Sequence, residues 1–316
     1  MELSNVCVLG GSGFVGSHVV HLLSADGVNV TVPTRRRERA KQLILLPTVD
    51  VVEADIHDEA ELAHLVHGMD AVINLVGVLH EARGARGFEQ AHIELPRKVI
   101  AACEANGVRR YVHMSALGAD LNGPSKYLRT KGAAETLVRA SFLDWTIFRP
   151  SVIFGREDRF LNLFARLLKW LPAIFLASPN ARFQPVFVAD VAAAIVHGLT
   201  DLAAFGKSYD LCGPRVYTLR ELVALVGAVT GYRRPIIGLN ALLSYLQAFA
   251  MELLPVKLMT RDNYYWMKVD SMSAEPFPFG IVPAPIEAVV PSYLGYGSPR
   301  SRYRSYRARA HREIAY

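Results

Sequence analysis

The segment GGSGFVG at residues 10–16 restricts this chain to few folds. It follows the short apolar run NVCVLGG (5–11). It also opens GFVGSHVVHLLSADG (13–27), whose apolar spacing is helical and whose end is a glycine stop. Gly10, Gly13 and Gly16 therefore stand at a strand-to-helix turn. Backbone without Cβ atoms turns tightly there and lets a pyrophosphate approach, its charge resting on the helix N-terminus. A tight turn with close helix–strand packing would use the same glycines. The position after the first strand favours a dinucleotide site. The candidate cofactor residues here are Gly10, Gly11, Ser12, Gly13, Phe14, Val15 and Gly16.

The pattern repeats along the chain. VNVTVP (28–33), VDVVEAD (49–55), DAVINLVG (70–77), RRYVHMSA (109–116) and DWTIFRPSVIFG (144–155) read as strands, separated by helical runs such as DEAELAHLVHG and IELPRKVIAACEANG. Strands alternating with helices predict an α/β fold, a Rossmann-type doubly wound parallel sheet covered on both faces. The 316 residues also leave room for a smaller C-terminal substrate or partner lobe. The division expected is 1–212 for the dinucleotide domain, with a lobe insertion at about 156–185. The lobe proper takes 213–296, and 297–316 forms a basic Arg/Tyr tail expected to be disordered.

The end of the second strand selects the dinucleotide. An NAD site places Asp or Glu there to accept hydrogen bonds from the ribose. This chain has TRRRER, with Arg35, Arg36 and Arg37 in that place. Guanidinium groups pair with a 2′-phosphate and leave an NAD ribose without its acceptor. The alternative is a solvated basic patch opening a helix. The expected cofactor is NADP(H) in preference to NAD(H), held by Arg35 and Arg36. Asp55 is placed to meet the adenine amine. Asn74 and Gly77 line the cofactor's middle or simply end a buried strand. Pro150 opens the loop around the nicotinamide or ends a strand.

Tyr127 and Lys131 lie four apart in GPSKYLRTKGAAE, on one helix face, with Pro124 and Ser125 as start residues. A free phenol titrates near about 10, and a fixed cation beside it stabilises the phenolate. Lys131 can also hold a nicotinamide-ribose hydroxyl. Gly132, Ala133 and Ala134 are small enough for another helix or the cofactor to approach. A structural pair on a cofactor-facing helix would look the same.

GGSGFVG, HMSA and YLRTK together resemble the short-chain dehydrogenase/reductase superfamily, in its extended or atypical branch. YLRTKGAAE, RPSVIFGREDRFLN and ARFQPVFVADVA are more closely similar to the nucleotide-binding accessory subunit family of respiratory complex I and its bacterial relatives, up to about residue 295. The resemblance implies an NADPH-holding fold; it does not by itself imply turnover. It also implies a catalytic set of Tyr127, Lys131 and Ser115, the serine steadying a substrate carbonyl. The short separation of Ser115 from Tyr127 argues against a large nucleotide-sugar substrate.

The remaining signals concern partners. Three scattered cysteines and the absence of a leader-like N-terminus predict a reducing, cytoplasmic setting of bacterial type, with peripheral contact at the inner face of the membrane. FLNLFARLLKWLPAIFLA (160–177) and ALLSYLQAFAMELLPVKL (241–258) are either core or a surface for a lipid-like ligand, a membrane or an apolar partner. Six arginines against Glu313 beyond Ser298 account for all but one unit of the net charge of +6, so the body is nearly neutral. That tail reads as a solubilising extension, and nucleic acid is not an expected partner. His64 and His67 lack a third ligand, so no metal site is expected. His80 and His92 flank EARGARGFEQ, a loop that could cover the cofactor but reads rather as a plain surface loop. Three functions stay open: an oxidoreductase acting on a carbonyl or alcohol of an apolar, quinone- or isoprenoid-like substrate; a nucleotide-stabilised accessory or assembly subunit of a membrane respiratory or quinone-related complex; and, more weakly, RNA or membrane-surface binding through the arginine tail.

Overall fold

The computed structural model describes residues 3–79, 81, 87–254 and 258–295; His80 and the arginine tail lie outside them. Seven parallel strands form the centre: β1 (Asn5–Leu9), β2 (Asn29–Thr34), β3 (Val49–Glu53), β4 (Ala71–Asn74), β5 (Arg110–Met114), β6 (Asp144–Pro150) and β11 (Lys207–Leu211). Their order, β11-β6-β5-β4-β1-β2-β3, reverses direction between β1 and β4. Their carboxyl ends therefore open a crevice at that switch point. The register sets Val6 beside Ala71 and Val30.

Period-two alternation decides the two faces. Val6 and Val8 join the buried face of α1 (Phe14–Ala25), α2 (Lys41–Ile44) and α7 (Val188–Thr200). Cys7 and Leu9 join α3 (Glu59–Val66), α4 (Leu95–Ala105) and α5 (Lys126–Ala140) on the other face. The sheet is thus covered on both sides, as its near-continuous apolar strands require.

A third core gathers Phe154, Leu168, Leu176, Phe183, Leu222, Val226 and Val290. It is built from α6 (Phe160–Trp170), α8 (Leu219–Thr230) and α11 (Ile286–Leu294). Three two-stranded pairs join them: β7 (Ile153–Phe154) with β10 (Val186–Phe187), β8 (Ile174–Leu176) with β13 (Ile236–Gly238), and β9 (Arg182–Phe183) with β12 (Tyr217–Thr218). GREDRFLN is explained here. The buried Asp158 carboxylate accepts the Leu161 N–H at 2.6 Å and the Tyr293 hydroxyl at 3.1 Å, capping α6 and tying α11 to it. Two further helices, α9 (Ala241–Glu252) and α10 (Arg261–Trp266), complete the lobe. No helix among the described residues is long and apolar enough to cross a membrane.

Candidate functional site

The glycine turn sits at the carboxyl end of β1. Gly10 has φ +80°, and a Cβ there would lie 3.2 Å from the Leu75 and Val76 backbone at the end of β4. Only a residue that tolerates positive φ and has no side chain lets the two strand ends approach so closely. The Gly13 N–H donates to the Gly10 carbonyl at 2.9 Å, and α1 starts from Gly13 with no side chain capping its first turn. Those N–H groups, with no side chain capping them, make an anion site, so the residues present fit a dinucleotide. Val15 and Gly16 are buried in the turn, while Ser12 and Phe14 are half-buried at its mouth.

Arg35 and Arg36 are exposed where β2 ends, the turn held by the Arg36 N–H on Thr34 Oγ1. Asp55 accepts the N–H of His57 at 3.0 Å. His57, which the sequence reading passed over, has a buried Nδ1 without a partner. Burial lowers its pKa most; Asp55 opposes this, and Lys98 and Arg35 add to it. Arg35, Asp55 and His57 thus gather at one end of the crevice.

At the middle, Asn74 is a brace. Its Oδ1 accepts the Val76 N–H, and its Nδ2 donates to the Tyr111 hydroxyl at 3.2 Å. The Tyr111 hydroxyl also pairs with His113 Nδ1 at 3.3 Å, while His113 Nε2 lies on the far side of the ring. That buried Nε2 has no partner. Gly77 lies open, and a Cβ on it would stand 3.4 Å from Lys131 Nζ and 3.7 Å from His92 Nε2. Pro150 is buried and ends β6, its carbonyl accepting the Leu117 N–H.

Beside it, β5 and α5 bring Ser115, Tyr127 and Lys131 to one end of the sheet. Ser125 caps α5 through Leu128 N–H, and Asp262 from α10 accepts the N–H groups of Lys126 and Tyr127 at 2.6 and 3.2 Å. Lys131 Nζ donates to the Met114 carbonyl at 3.0 Å. Burial draws its pKa down to about 8, opposed by Glu135. Ser115 Oγ is buried and unpartnered. The Tyr127 ring is walled by Phe88, His92 and Trp266, with centroids 5.9, 5.5 and 6.4 Å away.

The Tyr127 phenol is held above its usual range, by burial first and Asp262 second. Lys131 gives one of its three N–H donors to the Met114 carbonyl. One expectation changes. Gly132 is small to admit neither helix nor cofactor: its missing Cβ makes room for the Asp120–Leu121 backbone, 2.6–2.9 Å from where that atom would be. His92, which borders the segment read as a loop, is buried on a helix. Its Nε2 accepts the Val78 N–H, so Nδ1 donates to Thr130 Oγ1 at 3.0 Å. The signal was present, since Phe88, His92, Leu95 and Val99 are helically spaced and all buried.

Burial, with Lys131 adding, holds His92 neutral down to about 2 and His113 down to about 3. In the unfolded chain both protonate near about 6.5. Their contribution to stability is complete above that pH and is lost as pH falls below it, by up to ~1.4 kcal/mol per unit per residue. His113→Gln is expected to flatten the acid limb of stability in urea titrations at stepped pH. An unchanged slope would refute the assignment.

Comparisons with known proteins agree with this geometry. Residues 10–159 match a family model described as NAD(P)H-binding. The chain is 37% identical over 229 residues to NADH dehydrogenase (ubiquinone) 1 alpha subcomplex subunit 9, mitochondrial, of Mus musculus, covering 71% of this chain and 60% of that protein. It is 31% identical over 192 residues to a ceramide reductase of Caulobacter vibrioides, covering 60% and 59%. The chain therefore spans about 60% of the length of these curated relatives. A nucleoside-diphosphate-sugar epimerase from Staphylococcus aureus shares the fold, with a TM-score of 0.72 at 16% identity over 90% of this chain and 98% of the other.

Proposed function

We propose, on the premise that this chain belongs to the NAD(P)-binding, short-chain dehydrogenase/reductase-like Rossmann family, that it is an NADP(H)-dependent oxidoreductase. Its substrate would be a carbonyl or alcohol on an apolar, quinone- or isoprenoid-like molecule. The observation that carries this reading is the buried, unpartnered Ser115 Oγ on the strand whose Met114 carbonyl anchors Lys131. A buried hydroxyl without a partner is costly unless a ligand uses it. NADP(H) supplies or accepts the hydride. Ser115 holds the substrate oxygen, Tyr127 gives it a proton or takes one from it, and Lys131 binds the nicotinamide-ribose side. Arg35 and Arg36 pair with the 2′-phosphate.

A second reading has its own support. Tyr127 is enclosed by Phe88, His92 and Trp266 with its phenol pushed up, which suits a nucleotide held without turnover. The 37% identity to a subunit of NADH dehydrogenase (ubiquinone) 1 supports the same reading, an accessory component of a membrane complex.

NADPH oxidation with quinone and isoprenoid-carbonyl acceptors separates the two. Under the first, Tyr127→Phe lowers kcat at least about a hundredfold while NADPH affinity is kept. Arg35→Ser with Arg36→Ser narrows the preference for NADPH over NADH at least about tenfold. Tight NADPH binding with no oxidation favours the second reading, and failure to bind NADPH rejects both.

A further inference from the structure

We propose that the outer face of α9, with the neighbouring ends of α6, β8 and β13, is an interfacial membrane-binding surface for anionic phospholipid bilayers. The proposal stands apart from the nucleotide reading.

Helix α9 is inverted. It turns small and polar residues inward: Ser244 and Ala248 are buried, Ser244 Oγ accepts the Ser178 N–H, and Gln247 Nε2 donates to the Phe175 carbonyl at 2.9 Å. Its large apolar residues face out. Leu242, Leu246, Phe249 and Leu253 are 67, 49, 42 and 73% exposed. At 100° per residue these four fall within about 60° of arc, one stripe along the helix. Burial inside the lobe therefore does not account for them.

The stripe continues onto its neighbours. Ile237 and Phe175 are register partners on β13 and β8, and both are exposed. Trp170 and Leu171, at the end of α6 just before β8, are exposed too, Trp170 at 78%. Patches of this extent mark interaction sites.

Charge selects the occupant. The flanking cations Arg166, Lys169, Arg233 and Arg234 are all exposed, and the segments 160–176 and 233–254 contain one acid, Glu252, already paired with Arg261 at 2.9 Å. Lys169 lies over the Trp170 ring, 5.3 Å from its centroid. Arg233 and Arg234 also line a shallow hollow of about 330 Å³ with Leu168, Val223 and Ile236. An apolar stripe with tryptophan and a cationic border fits a helix lying in the headgroup plane, apolar side down. A second copy of this chain would bring the same cations into opposition.

The test uses the full chain in flotation with vesicles of phosphatidylcholine alone and of phosphatidylcholine mixed with phosphatidylglycerol. The intact protein should float with the mixed vesicles and weakly with the neutral ones. Leu246→Glu with Phe249→Glu should cut binding at least about tenfold. Arg233→Ser with Arg234→Ser should cut it roughly fivefold per cation, on mixed vesicles only. Parental circular dichroism and thermal unfolding show that each variant is folded, and Leu242→Gln is a milder substitute should the double variant not fold. Flotation unchanged by the stripe variant would overturn the proposal, because binding would then reside elsewhere, as in the arginines beyond Ser298. A protein that does not float, but sediments as a dimer dispersed by the stripe variant, would overturn it in favour of self-association.

Discussion

Gly16→Ala is expected to abolish dinucleotide binding. A Cβ at Gly16 would lie 2.2 Å from the Gly10 carbonyl oxygen, 2.6 Å from Gly11 Cα and 2.8 Å from Gly11 C. All three are backbone atoms, so no rotamer change relieves the clash. Either α1 withdraws from the turn or the turn opens, and both displace the N–H groups that would face the pyrophosphate. The strain is of the overpacking kind, about 3 kcal/mol, and NADPH affinity should fall at least about a hundredfold. Gly13→Ala provides the contrast. Its Cβ would meet only the Gly10 carbonyl, at 3.1 Å, and its φ is −82°, so it should cost far less. Fluorescence titration of NADPH with thermal unfolding of both variants decides it. A Gly16→Ala protein that binds like the parent would show that the turn is not the dinucleotide cradle.

Glu135→Gln is expected to cost a large part of the fold's stability. The carboxylate is buried and accepts from Arg149 Nε at 2.8 Å, Arg149 NH2 at 2.5 Å and Arg139 NH2 at 2.8 Å. Removing one member of a buried ion pair leaves the others desolvated without compensation, typically 3–5 kcal/mol. Arg149 is half-buried and Arg139 exposed, so water recovers part of that, leaving about 2–3 kcal/mol. A second effect follows from position. Glu135 lies one turn beyond Lys131 and is the charge that opposes the fall of its pKa. Without it the Lys131 midpoint should drop below about 8, and a dinucleotide affinity that depends on the ammonium should weaken at lower pH than in the parent. Urea unfolding measures the first effect, and NADPH titrations across pH the second. A variant as stable as the parent would mean that the arginines find other partners.

Much of the site was legible locally. Glycine spacing, strand–helix alternation and the basic end of β2 are short-range patterns, and each maps onto one turn or one element. The Ser125 start of α5 was readable for the same reason, because a cap acts on its own first turn. The burial of His92 was readable in principle from its helical spacing with Phe88 and Leu95.

What the amino-acid sequence determined alone is the doubly wound parallel sheet and the place of the dinucleotide turn, since both follow from local geometry repeated along the chain. The tertiary structure decided the rest. Asp262 reaches the N-terminus of α5 across 136 residues, and Lys131 is anchored by one hydrogen bond to the Met114 carbonyl. The chain of contacts from Asn74 through Tyr111 to His113 joins three side chains from two strands. The outward face of α9 was equally undetermined, because a helix apolar nearly all round reads the same whichever side packs. Only the strands and helices beneath it, meeting Ser244, Gln247 and Ala248, choose the side that is left to face outward.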